Sequence, residues 1–309
     1  MNLLTRMLPH VLLTAVVFAS AGCGEKKSDM EISAAEHARR AAREDSTTLK
    51  RKPEDLRRAL KTNEMATFLV SGNDIVEANL FRSGVRSVEA LKGVPLRGLD
   101  LGFTYVTDLA PLEGMKLETL VLENVPVTDI GVIKGMPLKV LKLQNTQVTD
   151  FSALQGLPLE QLNLLNLPFT DLSLLTDMPL QILWLTGTPT TNLTGVPSSR
   201  LVSLDIERTA VDSVETLAPI SSLRRLNIAG TQVSDVTPLH GLRLERLVLS
   251  PERIRTGMEG LRASKSLVLI QTSIDEELSA SDFWKRYDLG VWKPVEEPAP
   301  EATPAEPKQ

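Results

Sequence analysis

Apolar and polar residues alternate in short bursts that return at a fixed distance along the chain. Leu96-Arg97-Gly98-Leu99-Asp100-Leu101 is followed by Leu117-Glu118-Thr119-Leu120-Val121-Leu122 and then by Leu138-Lys139-Val140-Leu141-Lys142-Leu143. Leucine itself recurs at 96, 117, 138, 159, 180 and 201, and again at 223 and 244. Each burst has the two-residue alternation of a short strand with one apolar face. A repeat of 21 residues leaves room for one strand and one return segment, too little to bury its own apolar face. Such units must stack into a solenoid with a parallel sheet.

The residues between the bursts repeat as well. Counting each leading leucine as position 1, the unit from Leu96 carries Thr104, Val106-Thr107-Asp108-Leu109, Pro111-Leu112 and Gly114. The units from Leu117 and Leu138 repeat this with Val127-Thr128-Asp129-Ile130 and with Thr146, Val148-Thr149-Asp150-Phe151, Leu154 and Gly156. The Asp ahead of an apolar turn suits an N-cap, and the Leu/Pro/Leu stretch suits one helical or 3-10 turn. Gly114, Gly135 and Gly156 permit the bend back to the next strand. The position-9 threonines (Thr104, Thr146, Thr188, Thr209, Thr231) can bond turn backbone between neighbouring coils. Nine strands are expected, beginning at 75, 96, 117, 138, 159, 180, 201, 223 and 244. At strand spacing these span about 38 Å of sheet.

The consensus LxxLxLxxTxVTDLxxLxGxP resembles the short bacterial leucine-rich repeats of the internalin class. It is closer still to the repeat arrays appended to some bacterial Ser/Thr kinases. The match covers about 55–290, including the leader ALKTNEMATF and the closing KSL…FWKRYD. The resemblance implies a right-handed α/β solenoid, with the parallel sheet on its concave face and short helical or 3-10 turns on the other. It also implies a non-enzymatic surface that binds a protein or peptide. The kinase half is missing: there is no glycine-rich loop, VAIK-like lysine or HRD-like catalytic loop.

The ends read differently. Residues 1–22 hold one basic residue, Arg6, and the apolar run from Val11 to Ala19, as a secretory signal does. Ser20-Ala21-Gly22-Cys23 resembles the lipobox of bacterial lipoproteins, which implies a lipid anchor on Cys23 and a place in the cell envelope. That family usually has Leu where this chain has Ser20. Ordinary cleavage after Ala21, leaving a secreted or periplasmic protein, is the alternative. Residues 23–52 are polar and charged and read as a stalk, 53–74 as an N-terminal cap beginning Pro53-Glu54-Asp55-Leu56, and 75–262 as the solenoid. Residues 263–293 read as a C-terminal cap, with an added strand at 266–270. Phe283, Trp284, Tyr287 and Trp292 read as a plug over the last coil or, alternatively, as a partner site. Residues 294–309 (PVEEPAPEATPAEPKQ) read as a disordered tail.

Composition narrows the chemistry. The net charge is −5, with no basic stripe carrying interleaved aromatics, which disfavours nucleic acid. One cysteine precludes an internal disulfide framework. Of the three histidines, His10 and His37 precede the repeats and His240 reads as a solvated turn residue. No Ser/His/Asp grouping, zinc spacing or cofactor motif is present, so neither metal nor cofactor is expected. The column Asp108, Asp129, Asp150, Asp171 and Asp235, interrupted by Asn192, could cap turns or attract Ca²⁺. Positions 3, 5 and 7 of each strand face away from the core. There Val140, Leu165, Ile182 and Trp184 are apolar, ringed by Gln161, Asn163, Asp205 and Arg208. An apolar centre with a polar rim is the composition of an interface, so a monomeric chain docking a protein or peptide at Trp184 is the expectation. Glycan or cell-wall binding through Trp184 and Phe103 is the alternative, although no paired aromatic platform is expected across neighbouring coils.

Overall fold

The computed structural model describes residues 52–273 and 278–292. The readings of the leader, Cys23, the stalk through Arg51 and the 294–309 tail fall outside the described residues.

Each burst forms a three-residue strand, and these pair in sequence order. Among the described residues one sheet of eleven strands follows the order of the sequence with no crossover. The repeating strands are β2 (Asp74–Asn79), β3 (Gly98–Asp100), β4 (Thr119–Val121), β5 (Val140–Lys142), β6 (Gln161–Asn163), β7 (Ile182–Trp184), β8 (Ser203–Asp205), β9 (Arg225–Asn227) and β10 (Arg246–Val248). All neighbours from β2 onward are parallel, and Leu99, Leu120, Leu141, Leu162, Leu183 and Leu204 align in one register row. Those leucines are buried while positions 3 and 5 of the same strands stay partly exposed. The leucines of positions 1 and 6 and the apolar residues of positions 11, 14 and 17 complete one continuous core. Short 3-10 turns such as Ala110–Leu112 and Gly131–Ile133 form the opposite side.

Two backbone columns close each coil. At position 8 the chain adopts positive φ in eight successive units: Arg82, Phe103, Asn124, Asn145, Asn166, Gly187, Arg208 and Gly230. The amide of position 9 bonds the carbonyl of position 6 across this bend, as Thr104 does to Leu101 at 3.1 Å. Asn and Gly tolerate this region, whereas Arg or Phe there costs roughly 1–2 kcal/mol. The second column, Gly93, Gly114, Gly135 and Gly156, has φ of +74 to +76° and makes the predicted bend back to the next strand.

The threonine column differs from expectation in its partner. Thr104, Thr188, Thr209 and Thr231 donate their hydroxyls to the position-6 carbonyl of their own coil at 2.6–2.7 Å. Beside the left-handed residue that carbonyl is the nearest acceptor, so the bond reinforces one turn and does not join two coils. Thr146, the remaining member, makes no hydrogen bond through its hydroxyl.

Non-repetitive elements cover both ends. Helix α1 (Pro53–Leu60) begins at the proline and ends on left-handed Lys61, burying Leu56 and Leu60. The strand β1 (Thr67–Ser71) pairs antiparallel with β2 through the two-residue turn Gly72-Asn73, a hairpin not anticipated from the sequence. Beyond β10, α2 (Met258–Arg262) precedes β11 (Leu269–Gln271), the expected added strand. Helix α3 (Ala280–Asp288) then buries Phe283 against the core. Trp284 and Trp292 lie 5.0 Å from the Phe283 ring, and Arg262 stacks on Trp284 while pairing with Asp288.

Replacing fully buried Leu162 by Ala removes three carbons from the middle of the stack. The expected cost is about 2–5 kcal/mol in urea unfolding, against less than about 0.5 kcal/mol for a neighbouring surface change such as Glu160→Gln.

Candidate functional site: the sheet face

The sheet face is built by register. The position-5 row runs Lys142, Asn163, Trp184, Asp205, and the position-3 row runs Val140, Gln161, Ile182, Ser203. Trp184 is therefore flanked directly by Asn163 and Asp205, and Ile182 lies on its own strand and face. Leu165 follows Asn163 by two residues at position 7, and Val140 sits two strands from Ile182. The structure gathers Trp184, Ile182, Asn163, Leu165 and Asp205 closely, with Val140 at the margin. All four apolar members are only partly exposed, because neighbouring rows shield them.

The polar members are committed to local bonds. Asn163 accepts from the Leu165 amide at 3.0 Å. One carboxylate oxygen of Asp205 accepts from the Thr186 hydroxyl at 2.6 Å and the Glu207 amide at 3.0 Å. The other accepts from the Asn227 side chain at 3.0 Å. Arg208 lies at the left-handed bend beyond the strand, exposed and 3.7 Å from Glu207. Asp205 thus fixes the rim beside Trp184, and Arg208 stands at its edge. Thr186, Glu207 and Asn227 belong to this network and were not singled out from the sequence. Their shared signal is a polar residue at position 5 or 7, two apart, where a side chain can accept from the backbone two residues on.

The same bond recurs along position 5. Asn79, Asp100, Asn163, Asp205 and Asn227 each accept from the amide two residues later. Asp100 is the costly member: burial raises its pKa, opposed by the Gly102 amide and the charge of Lys142.

The second carboxylate column also caps turns. Asp108, Asp129, Asp150, Asp171 and Asp235 accept from the amides of Ala110, Gly131, Ser152, Ser173 and Thr237 at 2.6–3.0 Å. Asn192 does the same to Thr194, and Ser87 and Ser213 complete the column through their hydroxyls. Donation from Ser152 holds the Asp150 carboxyl below its ordinary value, and donation from Thr237 does so for Asp235. Among the described residues no three His, Cys, Asp or Glu converge as a metal would need.

His240 is an exposed residue at the end of the Thr237–Leu239 turn, as expected, and it has a partner as well. Its Nε2 lies 2.7 Å from the Gly257 carbonyl. Its ring also fills the space where a Gly260 side chain would stand, so it seats α2 against the last turn. Phe81 and Phe103 do meet across neighbouring coils, but edge to face, with ring centroids 5.3 Å apart and inclined at 72°.

A parallel sheet gaining one strand per 21 residues, with 3-10 turns on its other side, defines a leucine-rich-repeat protein. No family model matches the chain, and no curated protein does. Among solved structures it is similar to an internalin (inlF) of Listeria monocytogenes, with a TM-score of 0.58 and 24% identity, covering 72% of this chain and 68% of that one. Internalin C2 of Listeria monocytogenes matches with a TM-score of 0.55 and 27% identity over 66% of this chain and 92% of that one. The fold is that of an internalin-like leucine-rich-repeat solenoid.

Two pH effects follow. Asp100 has a raised folded pKa, so its contribution is intact below the ordinary 3.8 and is lost as pH rises through the folded value. Asp100→Asn keeps a cap for Gly102, as Asn79 and Asn163 do, and should raise the melting temperature at pH 7 while leaving it unchanged well below 3.8. Asp150 and Asp235 have lowered values, so their contribution is present above 3.8 and disappears as pH falls below it. Acid melting curves of the D150N/D235N double variant should lack that part of the decline.

Proposed function

We propose that the chain is a non-enzymatic interaction module that docks a protein or peptide on its sheet face, with Trp184 as the central contact. The observation carrying this reading is the register row Asn163–Trp184–Asp205. It sets a half-exposed indole between two polar groups that neighbouring bonds hold still. A large ring immobilised in this way loses little entropy on binding, which is what an interface anchor requires. The likeness to internalin C2 supports the same class of use, a surface presented by stacked repeats. The carboxylates with displaced pKa values are accounted for by backbone caps, burial and ion pairs, which supports a structural role for them.

The module acts as a monomer in the cell envelope, tethered through lipid on Cys23, with the secreted or periplasmic form as the alternative. No helix among the described residues is long and apolar enough to cross a membrane. Glycan binding is the second reading, favoured by the Phe81–Phe103 pair. Rings inclined at 72° offer a sugar no common flat platform, so the protein partner ranks first.

Trp184→Ala should fold, with a melting temperature close to that of the parent, and lose about 2 kcal/mol or more of binding to its partner. Binding to separated protein and polysaccharide fractions of the envelope measures both readings. Retention on polysaccharide alone would move the function to the glycan class, and unfolding of the variant would make Trp184 a core residue.

A further inference from the structure

At the N-terminal end of the array, the first two coils carry a cluster of aromatic and arginine side chains. The Arg82 guanidinium carbon lies 5.1 Å from the Phe81 ring centroid and 4.8 Å from that of Phe103. One turn further on, Arg86 stacks on Tyr105 at 4.6 Å, and Tyr105 is 57% exposed. A guanidinium lying on a ring is held flat, with its N–H donors free at the edges.

Three observations bear on these arginines. Arg58, Arg97, Arg208, Arg224 and Arg262 each have a carboxylate within 4 Å. Arg82 and Arg86 have none among the described residues, although the chain as a whole carries an excess of acid. Second, Arg82 and Phe103 hold φ of +52° and +56°, as Arg208 does at +54°, at the position where Asn124, Asn145, Asn166, Gly187 and Gly230 serve the other coils. The bend is made more easily by Asn or Gly, so the fold does not call for an arginine and a phenylalanine there. Strained residues gathered in one exposed place are a mark of a binding site. Third, aromatic rings beside arginine are the composition that dominates binding energy at protein interfaces.

We infer that this ridge is a second docking site and that its occupant is an acidic peptide segment of a protein partner. Carboxylates of the segment meet the free guanidinium edges in the paired N–H···O geometry that arginine favours, while Tyr105 and Phe103 cover its apolar groups. A long polyanion fits less well. Two cations suffice for a short segment, whereas an extended anionic chain would run onto a surface of net negative charge. The inference rests on the reading of the chain as an interaction module but uses the first two coils in place of the coils around Trp184.

The test uses the full chain and a fluorescent peptide alternating glutamate and tyrosine, followed by anisotropy. Binding should weaken as salt rises and fall at least ten-fold in the R82N/R86Q double variant. Arg97→Gln, which removes an ion-paired arginine, should bind as the parent does. Arg82→Asn and Phe103→Asn should raise the melting temperature while weakening binding, because the bend relaxes. No binding, equal binding by the double variant, a lowered melting temperature in both single variants, or preference for a heparin fragment over the peptide would each overturn the proposal. A Trp184→Ala variant that binds the peptide as the parent does supports two separate sites. A parent protein that holds a partner through Trp184 yet ignores the peptide overturns the ridge and leaves the module reading standing.

Discussion

Every coil of this solenoid hangs its backbone on the coil that follows. The amides of positions 6 and 8 donate to carbonyls one coil ahead, as Leu101 does to Val121 at 2.9 Å and Phe103 does to Glu123 at 2.8 Å. The position-4 leucines likewise find their apolar neighbours in adjacent coils. A buried strand with unmatched amides or an uncovered leucine row is not stable in water. Everything else follows from that incompleteness. The first and last coils must be finished by elements foreign to the repeat, and the chain does so twice. At one end α1 and the β1–β2 hairpin close the stack, and at the other β11 continues the ladder until the Phe283 cluster shuts it.

The same constraint sorts positions by their freedom. Positions 1, 4 and 6 face inward and are apolar in almost every coil. Position 13 must hold a short acceptor for the turn amide, and Asp, Asn and Ser all serve. Charges at position 2 form a cross-coil ladder in which Glu118 is 3.8 Å from Arg97 and 2.9 Å from Lys139. The Glu118 carboxylate raises the Lys139 pKa, though exposure limits what such a pair contributes to stability. Positions 3, 5, 7 and 8 are left to vary, and the surfaces assigned to partners are written mostly there, with Arg86 and Tyr105 further along the coil.

Repetition made most of the fold legible from sequence. Leu96, Leu117 and Leu138 fix the register because a slip of one residue would turn every strand inside out. The Asp-before-turn reading held because the side chain and its amide partner are two residues apart, a distance that sequence shows directly. What escaped was non-local or conformational. The hairpin at Gly72-Asn73 had a short-range signal in its Gly-Asn pair, masked because the strand before it, TFLVS, belongs to no repeat. The left-handed column was concealed at Arg82, Phe103 and Arg208, residue types that do not advertise positive φ. On the sheet face the row of Asn163, Trp184 and Asp205 was readable from periodicity. The bonds that fill both oxygens of Asp205 join coils 19 and 22 residues apart and become visible only when the coils are superposed in space.

One unit breaks the count. From Leu201 to Leu223 the interval is 22, yet Ser203 still pairs with Arg225 and Leu204 with Leu226. The extra residue falls in the return segment after Leu217, where Ser222 donates to the Leu201 carbonyl at 2.7 Å and Ile220 is buried. The sheet thus behaves as a ruler whose gradations are set by hydrogen bonds, while the opposite side acts as slack. Such a molecule can lengthen by copying a whole cassette, each copy adding about 4.8 Å to the ruler. It can also acquire loops on the slack side without moving any mark on the other.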